Sequence, residues 1–178
     1  MPDEMMQQVL EQQASKFFGK YRGRVADNRD PLLRGRLKVQ VPQVLGKSEV
    51  WALPCVPYAG KDVGFFALPK TGTAVWVEFE AGDPSYPIWT GSLWGLGDIS
   101  PTDAIPEMKF LKTDKFTMKI NDLLGEITIE NQSGSQIVIG PLDIKIKAPL
   151  VTTEAAGGKK VELTAVSFNV NNSAFEVL

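Results

Sequence analysis

From residue 114 onward the chain alternates apolar and polar residues in one short burst after another, with the same two-residue period. Phe116, Met118 and Ile120 open the series, and Ile127 and Ile129, Ile137 and Ile139, and Ile144 and Ile146 continue it. Val161 and Leu163, Phe168 and Val170, and Phe175 and Val177 close it. A period of two puts successive side chains on opposite faces of a strand, so each burst predicts a short strand with one apolar face. Asn121-Asp122, Leu124-Gly125, Asn131 to Gly134, Gly140-Pro141 and Gly157-Gly158 supply residues that accept tight turns at little cost. A segment cut so finely, and almost without aromatics, makes a thin sheet whose apolar face has no second layer of its own. Either the sheet folds back on the rest of the chain, or other copies cover it. A symmetric homotrimer enclosing three such faces along a common axis would supply the cover and give an elongated shaft. The expected trimer core is Ile120, Ile127, Ile129, Ile137, Ile139, Ile144, Ile146, Val161, Leu163, Phe168 and Val170. Lys115, Lys119, Lys145 and Lys147 alternate with these positions and are expected to face outward.

The first hundred residues read differently. Residues 1–16 form a candidate N-terminal helix or arm, with Met5, Met6, Val9, Leu10 and Ala14 near one helical face. Short segments rich in Val, Leu, Trp and Phe, punctuated by Gly and Pro, then mark a compact all-β domain over 17–97. Strands are expected near Lys16 to Val25, Gly35 to Val41, Val50 to Val56, Asp62 to Ala67, Thr73 to Phe79 and Ile88 to Leu93. Five or six strands in that length suggest a small closed barrel, for which the OB-fold is the commonest candidate. Pro101, Pro106 and their polar neighbours predict a linker over 98–113, ahead of the module at 114–178.

Composition narrows the chemistry. The chain of 178 residues contains no histidine, so no Ser-His-Asp or Cys-His arrangement and no histidine-built zinc site can form in it. A single cysteine cannot build a thiolate site, and a metal would have to be a hard cation held by oxygen; no cofactor and no metal is expected. Cys55, inside the apolar run Trp51 to Val56, is expected to be buried. Met1 to Leu10, with Asp3 and Glu4, does not read as a signal peptide, so the chain is expected to be made in the cytoplasm. The length leaves little room for an inserted enzyme.

Gly23-Arg24-Val25-Ala26-Asp27-Asn28-Arg29-Asp30-Pro31 is followed by Gly35-Arg36-Leu37-Lys38-Val39-Gln40-Val41-Pro42, Trp51-Ala52 and the run Pro69 to Glu80 containing Gly72. Gly82-Asp83-Pro84 then leads to Pro87-Ile88-Trp89-Thr90-Gly91-Ser92-Leu93-Trp94. In order and spacing these segments resemble the baseplate assembly protein V and central spike family of contractile phage tails, which is similar in turn to the barrel of type VI secretion spikes. The positions that carry the likeness are Gly23, Asp30, Pro31, Gly35, Arg36, Pro42, Trp51, Gly72, Gly82, Asp83, Pro84 and Gly91. The resemblance implies a homotrimer in which three OB-fold barrels form a collar and three C-terminal segments intertwine into a triangular β-helix, or β-prism. It also implies a separate hub protein at the barrel end and a place at the baseplate tip of a virion or injection particle, where the target membrane is met only on firing. Some family members end in a tip that holds iron through histidines, which this chain lacks. Its C-terminal Asn171, Asn172, Ser173, Phe175, Val177 and Leu178 instead offer an apolar end, read as the interface for a tip protein resembling PAAR-repeat proteins.

Two other function classes compete. An OB-fold with bases between Lys16 and Lys47 suggests single-stranded nucleic-acid binding, with Trp51, Tyr58, Phe65, Phe66 and Trp76 as stacking rings. Rings alternating with apolar residues in a small barrel are more simply its core, and no nucleic-acid partner is expected. A glycosidase needs two carboxylates across a cleft. Glu78 and Glu80 are expected on one strand face, and Asp83 in its Gly-Asp-Pro turn suits a cap on backbone amides, so no catalytic residue is assigned. The expected function is that of a non-enzymatic central spike that joins hub to tip and pierces the envelope mechanically. A type VI secretion-like spike with a separate hub is the alternative.

Overall fold

A computed structural model describes residues 6, 15–172 and 174–177. The expected N-terminal helix therefore lies almost wholly outside the described residues, as do Ser173 and Leu178. Two compact units divide the chain, Met1–Asp98 and Ile99–Leu178.

In the first unit, β1 (Tyr21–Asp27), β2 (Leu37–Gln40), β3 (Glu49–Pro54), β6 (Ala74–Phe79) and β7 (Pro87–Ser92) close into a barrel in the order β1-β2-β3-β7-β6. Four of the five contacts are antiparallel, and β3 meets β7 in parallel through Leu53↔Ile88 and Pro54↔Trp89. That is the five-stranded Greek-key barrel expected of an OB-fold. The two-residue period explains the core. Val25, Leu37, Val39, Ala52, Val75, Val77 and Phe79 point inward and are buried, while Arg22, Arg24, Lys38, Trp51 and Trp76 alternate with them on the outside. Trp89 is also buried and donates its indole N–H to the Gly35 carbonyl at 3.2 Å. A one-turn helix, α1 (Pro42–Leu45), follows β2 with proline at its start, where a missing N–H costs nothing.

Several expectations for this unit need correction. The run Asp62 to Ala67 is not a barrel strand. Only Val63–Gly64 (β5) is extended there, paired with Ala59–Gly60 (β4) in a small hairpin outside the barrel. Cys55 is exposed, because counting outward from inward-facing Ala52 in steps of two places residue 55 on the opposite side. The rings Trp51, Tyr58, Phe65, Phe66 and Trp76 are not core either. Valines, Leu37 and Ala52 fill this narrow barrel together with Phe79 and Trp89, while Trp51 and Trp76 lie on its outer face.

In the second unit, β8 (Met108–Lys112), β9 (Phe116–Asn121), β10 (Glu126–Asn131), β11 (Gln136–Ile139) and β12 (Ile144–Lys147) form a five-stranded antiparallel meander. A second meander comprises β13 (Leu150–Ala155), β14 (Lys159–Thr164), β15 (Phe168–Val170) and β16 (Phe175–Val177). The expected linker over 98–113 thus contains a strand, since Met108–Lys112 pairs along β9. Its Met-Lys-Phe-Leu-Lys sequence holds adjacent apolar residues, which hide the alternation. Asp103, in the turns before β8, is buried and accepts a 2.8 Å hydrogen bond from Lys119 Nζ.

Candidate trimer face

Strand register converts the periodic sequence into continuous rungs. In the first meander, Leu111, Met118, Ile129, Ile137 and Ile146 stand opposite one another strand by strand, and so do Ile120, Ile127, Ile139 and Ile144. In the second, Val151, Leu163, Phe168 and Val177 form one rung, and Val161, Val170 and Phe175 form another with Thr153. Directly opposed aliphatic side chains are near enough to touch, which makes the rungs the natural unit of sheet stability. Yet these faces are open within the chain. Ile129, in the middle of its rung, is 38% exposed, and Ile144 and Ile146 on the border strand are more so. The opposite face carries Lys119, Thr128 and Lys145 and is, on β9 and β10, the less exposed side. An apolar face more exposed than its polar reverse is the inverse of what a finished soluble sheet shows.

All eleven residues expected in the trimer core lie on these rungs. Register adds Leu111, Met118 and Val151. Leu111 falls in the expected linker, and Val151 sits in Leu-Val-Thr-Thr, where no clean alternation is visible. Of the expected outward lysines, Lys119, Lys145 and Lys147 are on the polar face, whereas Lys115 occupies the β8–β9 turn.

At the C-terminal end, Asn171 and Asn172 adopt positive φ of 48° and 57°, a region asparagine tolerates better than most residues. Asn171 also closes the turn onto β14: its N–H donates to the Lys160 carbonyl at 2.8 Å and its Oδ1 accepts the Lys160 N–H at 3.1 Å. Phe175 and Val177, expected from sequence as tip contacts, continue the two rungs.

The barrel positions singled out from sequence do not converge on one site. Asp30 organises the β1–β2 loop. Only 7% exposed, it accepts the N–H groups of Leu32, Arg34 and Arg36 at 3.0, 2.8 and 3.2 Å and the Arg36 guanidinium at 2.7 and 3.0 Å. The guanidinium, seconded by the backbone donors, holds its carboxyl well below the usual carboxylate range. Arg36 in turn covers the Trp51 ring at 5.2 Å. Pro31 lies in the same loop, Gly35 ends it, and Pro42 opens α1. Gly23 needs to be glycine because a Cβ would meet Val77 Cγ2 at 3.0 Å and the Gln40 carbonyl at 3.1 Å. Gly72 lies in the turn ahead of β6 and donates its N–H to the Val25 carbonyl, while Gly91 pairs with Trp76 beside a bulge at Thr90 of β7. Gly82, Asp83 and Pro84 form the β6–β7 turn. There the Asp83 carboxylate accepts the Ser85 N–H at 2.9 Å, which lowers its pKa, so the capping role expected of it is present.

The rival sites are not assembled. Glu78 accepts Lys20 Nζ at 2.6 Å, and Glu80 opens a short 3-10 turn rather than sharing the strand face. Arg22 stacks over Trp76 at 5.7 Å, so this ring and Trp51 are each covered by a cation of the chain itself. Tyr58, Phe65 and Phe66 line a groove of about 370 Å³ with Leu33, Pro54 and Trp89.

Comparison with known proteins agrees with this division. Residues 21–94 match the family model described as the type VI secretion system/phage-baseplate injector OB domain, and residues 108–176 match that of the phage baseplate V C-terminal trimerisation domain. Among curated proteins, the chain is similar to the type VI secretion system spike protein VgrG3 of Vibrio cholerae serotype O1, at 30% identity over 59% of this chain. It is also similar to the actin cross-linking toxin VgrG1 of that species, at 30% identity over 57% of this chain. The matched region amounts to 11% of the first relative and 10% of the second, so the chain spans about a tenth of their length.

Proposed function

Since the chain belongs to the phage-baseplate V family of injector spike proteins, we propose that it is the structural central spike of a contractile injection machine, acting as a homotrimer and without catalysis. The observation that carries this reading is the pair of apolar sheet faces, whose rungs are complete within the chain but uncovered. Three copies that turn those faces toward a shared axis would bury them and produce a stiff triangular β-helix. Stiffness follows from close packing, because each inward isoleucine is then held by neighbours from other chains. No bond is made or broken in this role. The spike transmits force generated by contraction elsewhere and pierces the target envelope.

In this arrangement the three barrels form the collar that meets a separate hub protein, and the C-terminal strands, with Phe175 and Val177 near their end, meet a PAAR-like tip protein. The full-length chain in dilute solution is expected to show a native mass of about three times its 19.5 kDa by light scattering. A monomer at micromolar concentration would overturn the proposal. The relatives VgrG3 and VgrG1 favour a type VI secretion-like spike as the second reading, in which the same trimer works with a hub on a separate chain.

A further inference from the structure

The loop between β1 and β2 is held in a shape that costs backbone energy. Leu33 has a φ of 53°, in the left-handed region that glycine occupies freely and leucine enters only under constraint. The constraint is Asp30. Its carboxylate gathers the N–H groups of Leu32, Arg34 and Arg36, and its carbonyl accepts the Leu33 N–H at 3.1 Å. Every backbone donor from residue 32 to residue 34 is therefore tied to Asp30, and the loop presents Leu33 with its side chain 92% exposed. A turn that needed only this backbone path would carry glycine at residue 33. A leucine kept there against its own preference is kept for what its side chain displays.

Leu33 lines the apolar groove of about 370 Å³ together with Tyr58, Phe65, Phe66, Pro54 and Trp89. Leu33, Phe66 and Leu68 also line an adjoining hollow of about 310 Å³ that reaches Asn28 and Arg29. Phe66, common to both, is 76% exposed. Walls as open as these do not enclose a small molecule, whose sites bury most of the ligand surface. They suit a segment of another polypeptide lying along them, and aromatic and arginine side chains together are what protein interfaces concentrate.

Charge at the rim selects among such segments. Arg34 lines the groove and Arg29 the hollow; both are exposed, and neither side chain forms an ion pair or hydrogen bond among the described residues. The Asp30 carboxylate is matched by Arg36, and Lys61 and Asp62 at the tip of the β4–β5 hairpin offset each other. Two unmatched guanidinium groups beside apolar rings favour carboxylates on the partner. A second copy turning the same groove inward would set arginine against arginine. We propose that this groove docks a linear segment of another protein in which apolar side chains are interspersed with Asp or Glu. Leu33 and Phe66 make the apolar contacts, and Arg29 and Arg34 pair with the carboxylates. The docking site lies wholly within the barrel unit and stands whether or not the chain is trimeric.

The test selects a yeast-displayed library of random peptides on the full chain and measures the enriched peptides, fluorescently labelled, by anisotropy. Enriched sequences should combine Leu, Ile or Phe with Asp and Glu, and their affinity should weaken as salt rises. Leu33→Gly removes the side chain but fits the backbone, so it should weaken binding about tenfold or more with no fall in melting temperature. Phe66→Ser, at an exposed position, should have a similar effect on binding, and Arg34→Glu should weaken it about fivefold. Peptides that bind the Leu33→Gly and Phe66→Ser variants as tightly as the unaltered chain would overturn the proposal. So would a library enriched in Lys and Arg, or one from which nothing is enriched, the outcome expected if copies of the chain themselves cover the groove.

Discussion

Replacing Ile129 by aspartate places a carboxylate at the centre of the longest rung, between Met118 and Ile137, and the cost can be worked from the structure. Ile129 is 38% exposed in the single chain, so trimer formation removes about a third of its surface from water. Losing that burial costs about 1 kcal/mol per chain. The carboxylate itself costs more. In an apolar interior facing two symmetry copies it is most easily kept by neutralising it, and protonating a group of ordinary pKa near 3.9 at pH 7 costs roughly 4 kcal/mol. The sum is about 5 kcal/mol per chain and about 15 kcal/mol for the trimer, or some ten powers of ten in its association constant. The variant should be monomeric by light scattering at pH 7 at any workable concentration.

A carboxyl whose pKa is raised by assembly favours the trimer when protonated. Association should therefore return in part as pH falls to about 4 and be lost again as pH rises. Ile129→Asn, which cannot titrate, should be impaired equally at both pH values. An Ile129→Asp chain that remains trimeric at pH 7 would refute the inward assignment, and a loss that does not ease in acid would refute the desolvation argument.

The barrel offers three further tests. Asp30→Asn removes the charge that gathers three backbone N–H groups and Arg36, and should lower the barrel's melting temperature. Because the folded pKa is depressed, the contribution of Asp30 is present above the ordinary carboxylate pKa and lost as pH falls below about 4. The native barrel should thus lose stability in acid more steeply than the Asp30→Asn variant, as followed by circular dichroism. Gly23→Ala drives a methyl into Val77 and the Gln40 carbonyl and should destabilise the barrel by about 1–3 kcal/mol in denaturant titration, with native mass unchanged at low denaturant. Cys55 should react with a maleimide in the native protein as fast as after unfolding; protection would contradict its exposed position.

Legibility from sequence follows the strength of the period. The Ile-x-Ile and Val-x-Leu bursts indicate which residues share one face of each meander, since a two-residue repeat leaves one choice of side. The barrel's order is readable because Gly, Pro and short β-branched runs bracket each strand. Where apolar residues are adjacent, as in Met108–Lys112 and Leu150–Ala155, the period is silent and pairing alone decides. Aromatic residues mislead. Trp51 and Trp76 occupy the outward phase of their strands, where an arginine rather than the core covers each ring. An acid six residues before an arginine across a Pro-containing loop is a visible hint of the role of Asp30. That it gathers three N–H groups depends on the path the loop takes.

The strand order of the two meanders bears on how such a molecule comes into being. Every pairing in them joins neighbours in sequence, so each closes through short hairpins with little loop entropy, whereas the barrel must bring β1 to β6 and β3 to β7 across distant parts of the chain. A lone chain can thus lay out the two meanders rapidly while their apolar faces stay bare. In the spike proposed above, covering those faces waits on collision with two other chains, so the refolding rate of this unit should climb with protein concentration while that of the barrel should not. In a cell, the supply of newly made chains would set the pace at which finished spikes accumulate.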